Sequence, residues 1–183
     1  LYRNVHLITS ERVHVPVWGT HITTPHVGKD FASVCLKTDI ENHNNQVLTL
    51  RTTIFDPSGK AVQTKEQRLP IFPEKHFEQN FIVNHPTLLS PESPALYKAV
   101  TAVCVEGKQV DEYTTTFGIR SIEVIPDKGF FLNGELRKFQ GVCNHHDLGP
   151  LGAAVNVAAL RHQLTLLKDM GCDAIRTSHN MPA

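Results

Sequence analysis

The chain has 183 residues, 40 % of them hydrophobic and 20 % charged, with 18 Lys or Arg balancing 18 Asp or Glu. That length allows one or two domains of roughly 100–200 residues each. A net charge of zero supplies no footprint for nucleic acid or an anionic membrane, and no apolar run approaches the roughly 20 residues of a membrane span.

Residues 1–20 lack the basic start and apolar core of a signal peptide, and "LYRNVHLI" reads instead as the end of a strand. Residues 13–120 read as short strands separated by turn signals. In "FASVCLKTDI" (31–40), Ala32, Val34, Leu36, Thr38 and Ile40 alternate on one face, the period of a half-buried strand. Cys35 shares the other, more polar face with Ser33, Lys37 and Asp39. A bridge from Cys35 to Cys104, of the kind an immunoglobulin-like sandwich can hold, is therefore the less favoured reading. The four cysteines, with Cys143 and Cys172, form no CxxC or zinc-finger spacing. "QVLTLRTTIF" (46–55) is rich in β-branched residues, and "DPSGK" (56–60) puts Pro57 and Gly59 where a tight turn wants them. Phe77, Gln79, Phe81 and Val83 alternate again, "HPTLLSPESP" is a long loop, and "LYKAVTAVCV" pairs with "QVDEYTTTFGI" across "EGK". About seven strands in about 100 residues predict an antiparallel β-sandwich.

After Arg120 the pattern changes. Asn133-Gly134 between apolar runs signals a hairpin. "NVAALRHQLTLLKDMG" (156–171) is the one clear helix, with Leu160, Leu164 and Leu167 at helical spacing, Asn156 to cap it and Gly171 to stop it. "CDAIRTS" follows as a strand. Strand, helix and strand within roughly 40 residues open a βα unit with a parallel sheet. One such unit cannot bury a core, so the rest of that domain is expected beyond residue 183, with the apolar faces of residues 121–183 uncovered or borrowing packing.

Two polar clusters follow the two parallel strands: Asn144, His145, His146 and Asp147 after the first, and Arg176, Ser178, His179 and Asn180 after the second. In β/α barrels the loops beyond the carboxyl ends of the strands carry the chemistry, and neighbouring strands lie about 4.8 Å apart. Imidazole, guanidinium and amide groups there suit a polyhydroxyl ligand. Each has a plainer alternative: a solvated His145-His146-Asp147 loop, a metal ligand lacking a third element, or a structural ion-pair role for Arg176. Trp18, the single tryptophan, is either a sugar platform or, more readily, an interdomain packing residue. Retaining glycoside hydrolysis needs two carboxyl groups about 5–5.5 Å apart. Asp147 and Asp173 lie in the right region, but neither has a partner on the same strand ends.

"FGIRSIEV", "GFFLNGELRKFQGVCNHHD" and "LLKDMGCDAIRTSHNMP" resemble consecutive blocks of family 2 glycoside hydrolases, the β-galactosidase and β-glucuronidase family. The resemblance covers nearly the whole chain. It implies a mainly β protein: residues 1–12 as the end of a jelly roll, 13–120 as an immunoglobulin-like β-sandwich, and 121–183 as the truncated start of a (β/α)8 catalytic barrel. His145 matches a substrate-subsite histidine of the family, His179 one that contacts substrate hydroxyls, and Arg176 an arginine supporting the nucleophile region. Asn144 and Asn180 join them as candidate substrate ligands. The resemblance also implies two catalytic glutamates beyond residue 183. Cys143 and Asp173 stand where the family motif has Asn, and "HNMP" replaces "HYP", which leaves the sugar open.

The expected parent is thus a bacterial retaining enzyme cleaving terminal β-galactosides, with β-glucuronides as the alternative, in the periplasm or the cytoplasm. This internal piece is expected to be inactive, its partner a carbohydrate reached through the intact enzyme, with homo-oligomers allowed. It needs no cofactor of its own, while magnesium is compatible with the intact parent. The rival class is a carbohydrate- or protein-binding sandwich module, or a spacer, without a hydrolytic parent.

Overall fold

The computed structural model describes residues 5–71, 75–154 and 156–179. It divides into two compact units, Thr9–Leu136 and a smaller one holding residues 5–8 with 137–179. Residues 5–11 hold no regular structure, which corrects the reading of "LYRNVHLI" as a strand end as far as those residues go. Val5, Leu7 and Ile8 are strongly exposed, so their apolar character has no sheet to join.

In the larger unit the strands are β1 (Val13–His14), β2 (Thr20–Val27), β3 (Phe31–Asp39), β4 (Glu41–Asn42), β5 (Leu48–Phe55), β6 (Ala61–Leu69), β7 (His76–Asn84), β8 (Tyr97–Val105) and β9 (Lys108–Phe117). Seven of them form a sandwich of two antiparallel sheets, β2-β3-β7 and β6-β5-β8-β9. The inward residues of β3 are the predicted set, with Ala32, Val34, Leu36 and Thr38 fully buried. The sandwich encloses two apolar clusters. One holds Val34, Leu36, Ile54, Phe81 and Tyr97; the other holds Ile40, Leu48, Leu50, Leu69 and Val103.

Between the clusters β3, β5, β7 and β8 each contribute one buried polar residue: Thr38, Thr52, Gln79 and Thr101. Thr52 Oγ1 donates to Gln79 Oε1 at 2.6 Å and lies 3.1 Å from Thr101 Oγ1, while Gln79 Nε2 donates to the Leu50 carbonyl at 3.4 Å. Thr52, Gln79 and Thr101 are tolerated there because they bond to one another, whereas the buried Thr38 Oγ1 has no hydrogen-bond partner among the described residues.

Cys35 and Cys104 are both unbridged. Each lies out of phase with the inward residues of its strand, so the thiols point away from the space between the sheets. Cys35 nevertheless is only 7 % exposed, because its cross-strand neighbours Thr23 and Asn80 cover it. The polar phase correctly gave its direction but not its burial. That burial, followed by the nearby Glu78 carboxylate, pushes the Cys35 thiol pKa up.

The turns obey their residues. Asp56 Oδ1 accepts from the Ser58 and Lys60 N–H groups at 2.9 and 3.0 Å. Glu106-Gly107 joins β8 to β9 with φ of 50° and 80°, both positive as a type I′ hairpin requires. A meander of β10 (Ile122–Ile125), β11 (Gly129–Leu132) and β12 (Glu135–Arg137) follows. Asn133-Gly134 makes its predicted turn, with φ of 53° and 81°.

The smaller unit contains β13 (Gly141–Asn144), a 3-10 turn (Gly149–Leu151), α1 (Val157–Asp169) and β14 (Ala174–Thr177). β13 and β14 pair in parallel, Gly141 opposite Ala174 and Asn144 opposite Thr177. Only glycine fits at 141, since a Cβ there would meet the Ala174 carbonyl oxygen at 2.4 Å. Asn156 Oδ1 caps α1 by accepting from Ala159 N at 3.1 Å. At the other end Gly171 N–H donates to Lys168 O and Cys172 N–H to Leu167 O, with Gly171 at φ of 91°, the double bond of a Schellman stop. No residue of α1 is buried, and no helix among the described residues is long and apolar enough to cross a membrane.

Candidate functional site

The parallel pair sorts its side chains by face. Asn144, facing α1, donates from Nδ2 to Gln163 Oε1 at 3.4 Å. Cys143 and Arg176 are register partners one step out of phase, so they stand together on the opposite face. There Arg176 Nη1 lies 3.9 Å from Cys143 Sγ and donates to Ser178 Oγ at 3.2 Å. Ser178 is almost fully buried, and its N–H donates to the Asn144 carbonyl at 3.0 Å. That bond carries the pairing one step past the last strand residues and ties the two loops at their roots.

Beyond it the loops converge. The rings of His145 and His179 lie 5.4 Å apart, inclined at 54°. His179 has φ of 65°, a sparsely populated backbone for a residue with a Cβ. Of the predicted ligands, His145, Arg176 and His179 therefore gather at the carboxyl ends of β13 and β14. Asn144 belongs to the same strand end, but its amide is engaged on the helix side. Asn180 lies outside the described residues.

Two participants escaped the sequence reading. Gln163 sits between the half-buried Leu160 and Leu167 on the inner stripe of α1, and a polar residue on an apolar stripe was the available signal. Cys143 showed only as an odd residue in a motif, whereas the register puts its sulfur beside the guanidinium.

The two nearby carboxylates have structural work. Asp147 Oδ1 accepts from Gly149 N at 2.9 Å, shaping its own loop. Asp173 sits at the amino-terminal end of β14, the far end from Ser178 and His179. Its Oδ1 accepts from Gln140 N at 2.7 Å and its Oδ2 from Arg137 Nη2 at 2.9 Å. The Gln140 N–H first, then the Arg137 guanidinium, hold its carboxyl below the usual carboxylate range. Among the described residues no three His, Cys, Asp or Glu side chains are grouped to hold a metal ion. The chemistry on offer is recognition: imidazole and guanidinium groups at the strand ends, able to donate to a ligand's hydroxyls and, through the imidazoles, to accept from them.

Residues 13–120 match the family model described as glycosyl hydrolases family 2, and residues 123–182 match the TIM barrel domain of the same family. Among curated relatives, the β-galactosidase BoGH2A of Bacteroides ovatus is 41 % identical across 100 % of this chain and 22 % of its own length. A β-glucuronidase of Bacteroides fragilis is 31 % identical across 98 % of this chain and 27 % of its own. Among solved structures, a glycosyl hydrolase family 2 member from Bacteroides cellulosilyticus superposes with a TM-score of 0.88 at 34 % identity, covering 95 % of this chain and 23 % of that one. A Bacteroides uniformis β-glucuronidase does so with a TM-score of 0.86 at 29 % identity, covering 95 % and 22 %. The chain thus spans about a fifth to a quarter of the length of these relatives. With the sandwich model matched over more than half of the chain and the barrel model over most of the remainder, the chain belongs to glycosyl hydrolase family 2.

Proposed function

We propose that this chain is the sandwich and the first β/α step of a retaining β-glycosidase that removes terminal β-galactosyl groups. The observation that carries the reading is the convergence of His145, Arg176 and His179 at the carboxyl ends of two parallel strands, where a β/α barrel keeps its substrate. Their part is to bind sugar hydroxyls. Family membership supports the glycosidase, and the relation to BoGH2A supports the galactoside.

Catalysis by retention needs a nucleophilic carboxylate and an acid/base carboxyl about 5–5.5 Å apart. Asp147 and Asp173 are each committed to backbone N–H groups, so in this reading both catalytic carboxylates come from chain beyond residue 183. The test is hydrolysis of chromogenic β-galactoside and β-glucuronide by this chain and by a longer protein carrying the complete barrel. We expect the longer protein alone to turn over, with the galactoside preferred. Turnover by the 183-residue chain would return the chemistry to Asp147 and Asp173. A preference for the glucuronide overturns the sugar assignment, and silence from both proteins overturns the hydrolase reading.

A further inference from the structure

The turn between β1 and β2 displays the chain's single tryptophan. Gly19 N–H donates to Pro16 O at 2.8 Å, closing a β-turn whose third residue, Trp18, has φ of 60°. Such a position favours Gly or Asn, and a bulky residue there is a conformational outlier. The indole that occupies it is nevertheless 84 % exposed, so no burial in this chain offsets the strain.

The backbone beneath it is firmly held. Three alternate residues of the edge strand β9 grip the segment in turn. Asp111 Oδ2 accepts from Val15 N at 2.8 Å, Tyr113 Oη accepts from Trp18 N at 3.0 Å, and Thr115 Oγ1 meets Thr20 Oγ1 at 2.6 Å. Strained residues persist where the surroundings over-determine them, and they cluster at functional sites. A ring fixed in advance also loses little freedom when it binds.

The chemistry around the ring selects its partner. Val17 is the one other large apolar side chain exposed on this turn. Two side chains do not make the apolar centre of a protein interface, which needs about 800 Å² from each partner. A pyranose ring matches better. Its C–H face is drawn to the negative face of an indole, and its rim hydroxyls need donors and acceptors. Tyr113 Oη, having accepted the Trp18 amide, still has its own hydrogen to donate.

We propose that Trp18 is the platform of a carbohydrate-binding site on the sandwich, taking a pyranose ring of an oligo- or polysaccharide. The choice of a sugar rests on the glycosidase reading, but the site requires no hydrolysis, so the two can fail separately. Because Trp18 is the single tryptophan, its emission reports this site alone. Titrating the 183-residue chain with lactose and with a soluble β-1,4-galactan should shift that emission saturably. The galactan in a native gel should retard the chain, and Trp18→Ala should abolish the retardation while Trp18→Tyr keeps part of it. Trp18→Gly should lose retardation as well, yet melt no lower than the parent, since glycine suits the positive φ. Unchanged emission and mobility with both sugars would overturn the proposal. So would an emission shift on raising protein concentration without sugar, which assigns the ring to a second copy of the chain. A Trp18→Gly variant that melts lower would also count against it, by making the indole a packing residue.

Discussion

The surroundings of Asp173 show what its charge does. The Gln140 N–H and the Arg137 guanidinium favour the ionised carboxyl and depress its pKa in the folded chain. A depressed pKa contributes stability that is present above the ordinary carboxylate value of about 3.9 and is lost as pH falls through the folded value. Asp173→Asn keeps an acceptor for Gln140 but gives up the charge facing Arg137. The variant should therefore melt below the parent at pH 7, and the gap should close as pH is lowered below about 4. Melting curves for the small unit between pH 3 and pH 7 check this. A gap that does not change with pH would assign the loss to hydrogen-bond geometry instead of charge. The same position shows why Asp173 is a poor candidate for chemistry: its neighbours stabilise one protonation state, whereas an acid/base group must reach both near its working pH.

At the scale of elements, the buried polar row across the sandwich has a direct consequence. Thr52 bonds to both Gln79 and Thr101, so Thr52→Val, nearly isosteric, removes the hydroxyl that both use. Leaving a buried amide oxygen unpaired costs about 1–3 kcal/mol, and urea unfolding should show that loss as a lower midpoint with an unchanged slope. An unchanged midpoint would mean that Gln79 re-pairs within the row. This row also shows what a sequence reveals. Thr38 and Gln79 were placed on the inward faces of β3 and β7 because their apolar neighbours alternate, and period 2 is visible whenever one face is buried. β6 could not be seen that way. "AVQTKEQRL" has a single buried residue, Leu69, so its partner is found by hydrogen bonding to β5 and not by burial. β2 was hidden for a different reason: Pro25 breaks the ladder and shifts the register between Thr23 and His26, as proline at a sheet edge does. The α1 caps were legible because Asn156 and Gly171 act locally. The Asn144–Gln163 contact was not, because it depends on which face of a four-residue strand meets the helix.

For the molecule as a whole, the two units differ in what they bury. The sandwich encloses two apolar clusters, whereas Ser178 is the one buried residue among those described from 137 onward. The apolar side chains of α1, including Leu164 and Leu166, remain 41 % and 50 % exposed. Hydrophobic burial is the main term opposing chain entropy, so a helix and two strands without it have little to resist opening. Native-state hydrogen exchange of the 183-residue chain should then show two levels. Amides of β5 and β8 should exchange only by global unfolding, and those of α1 and β14 should exchange at least tenfold faster, through local opening. In a longer protein carrying the complete barrel the difference should narrow, because neighbouring strands and helices would bury Leu160, Leu164 and Val142. Equal protection in the short chain would show that the small unit finds its own packing, and the case for barrel elements beyond residue 183 would lose its energetic ground. The His145–His179 pair makes this a question about function as well as stability. Both residues sit on loops rooted in β13 and β14, so if those strands open readily, sugar recognition there should require the longer protein. The Trp18 turn, gripped by a strand of the buried sandwich, should keep its geometry in the short chain.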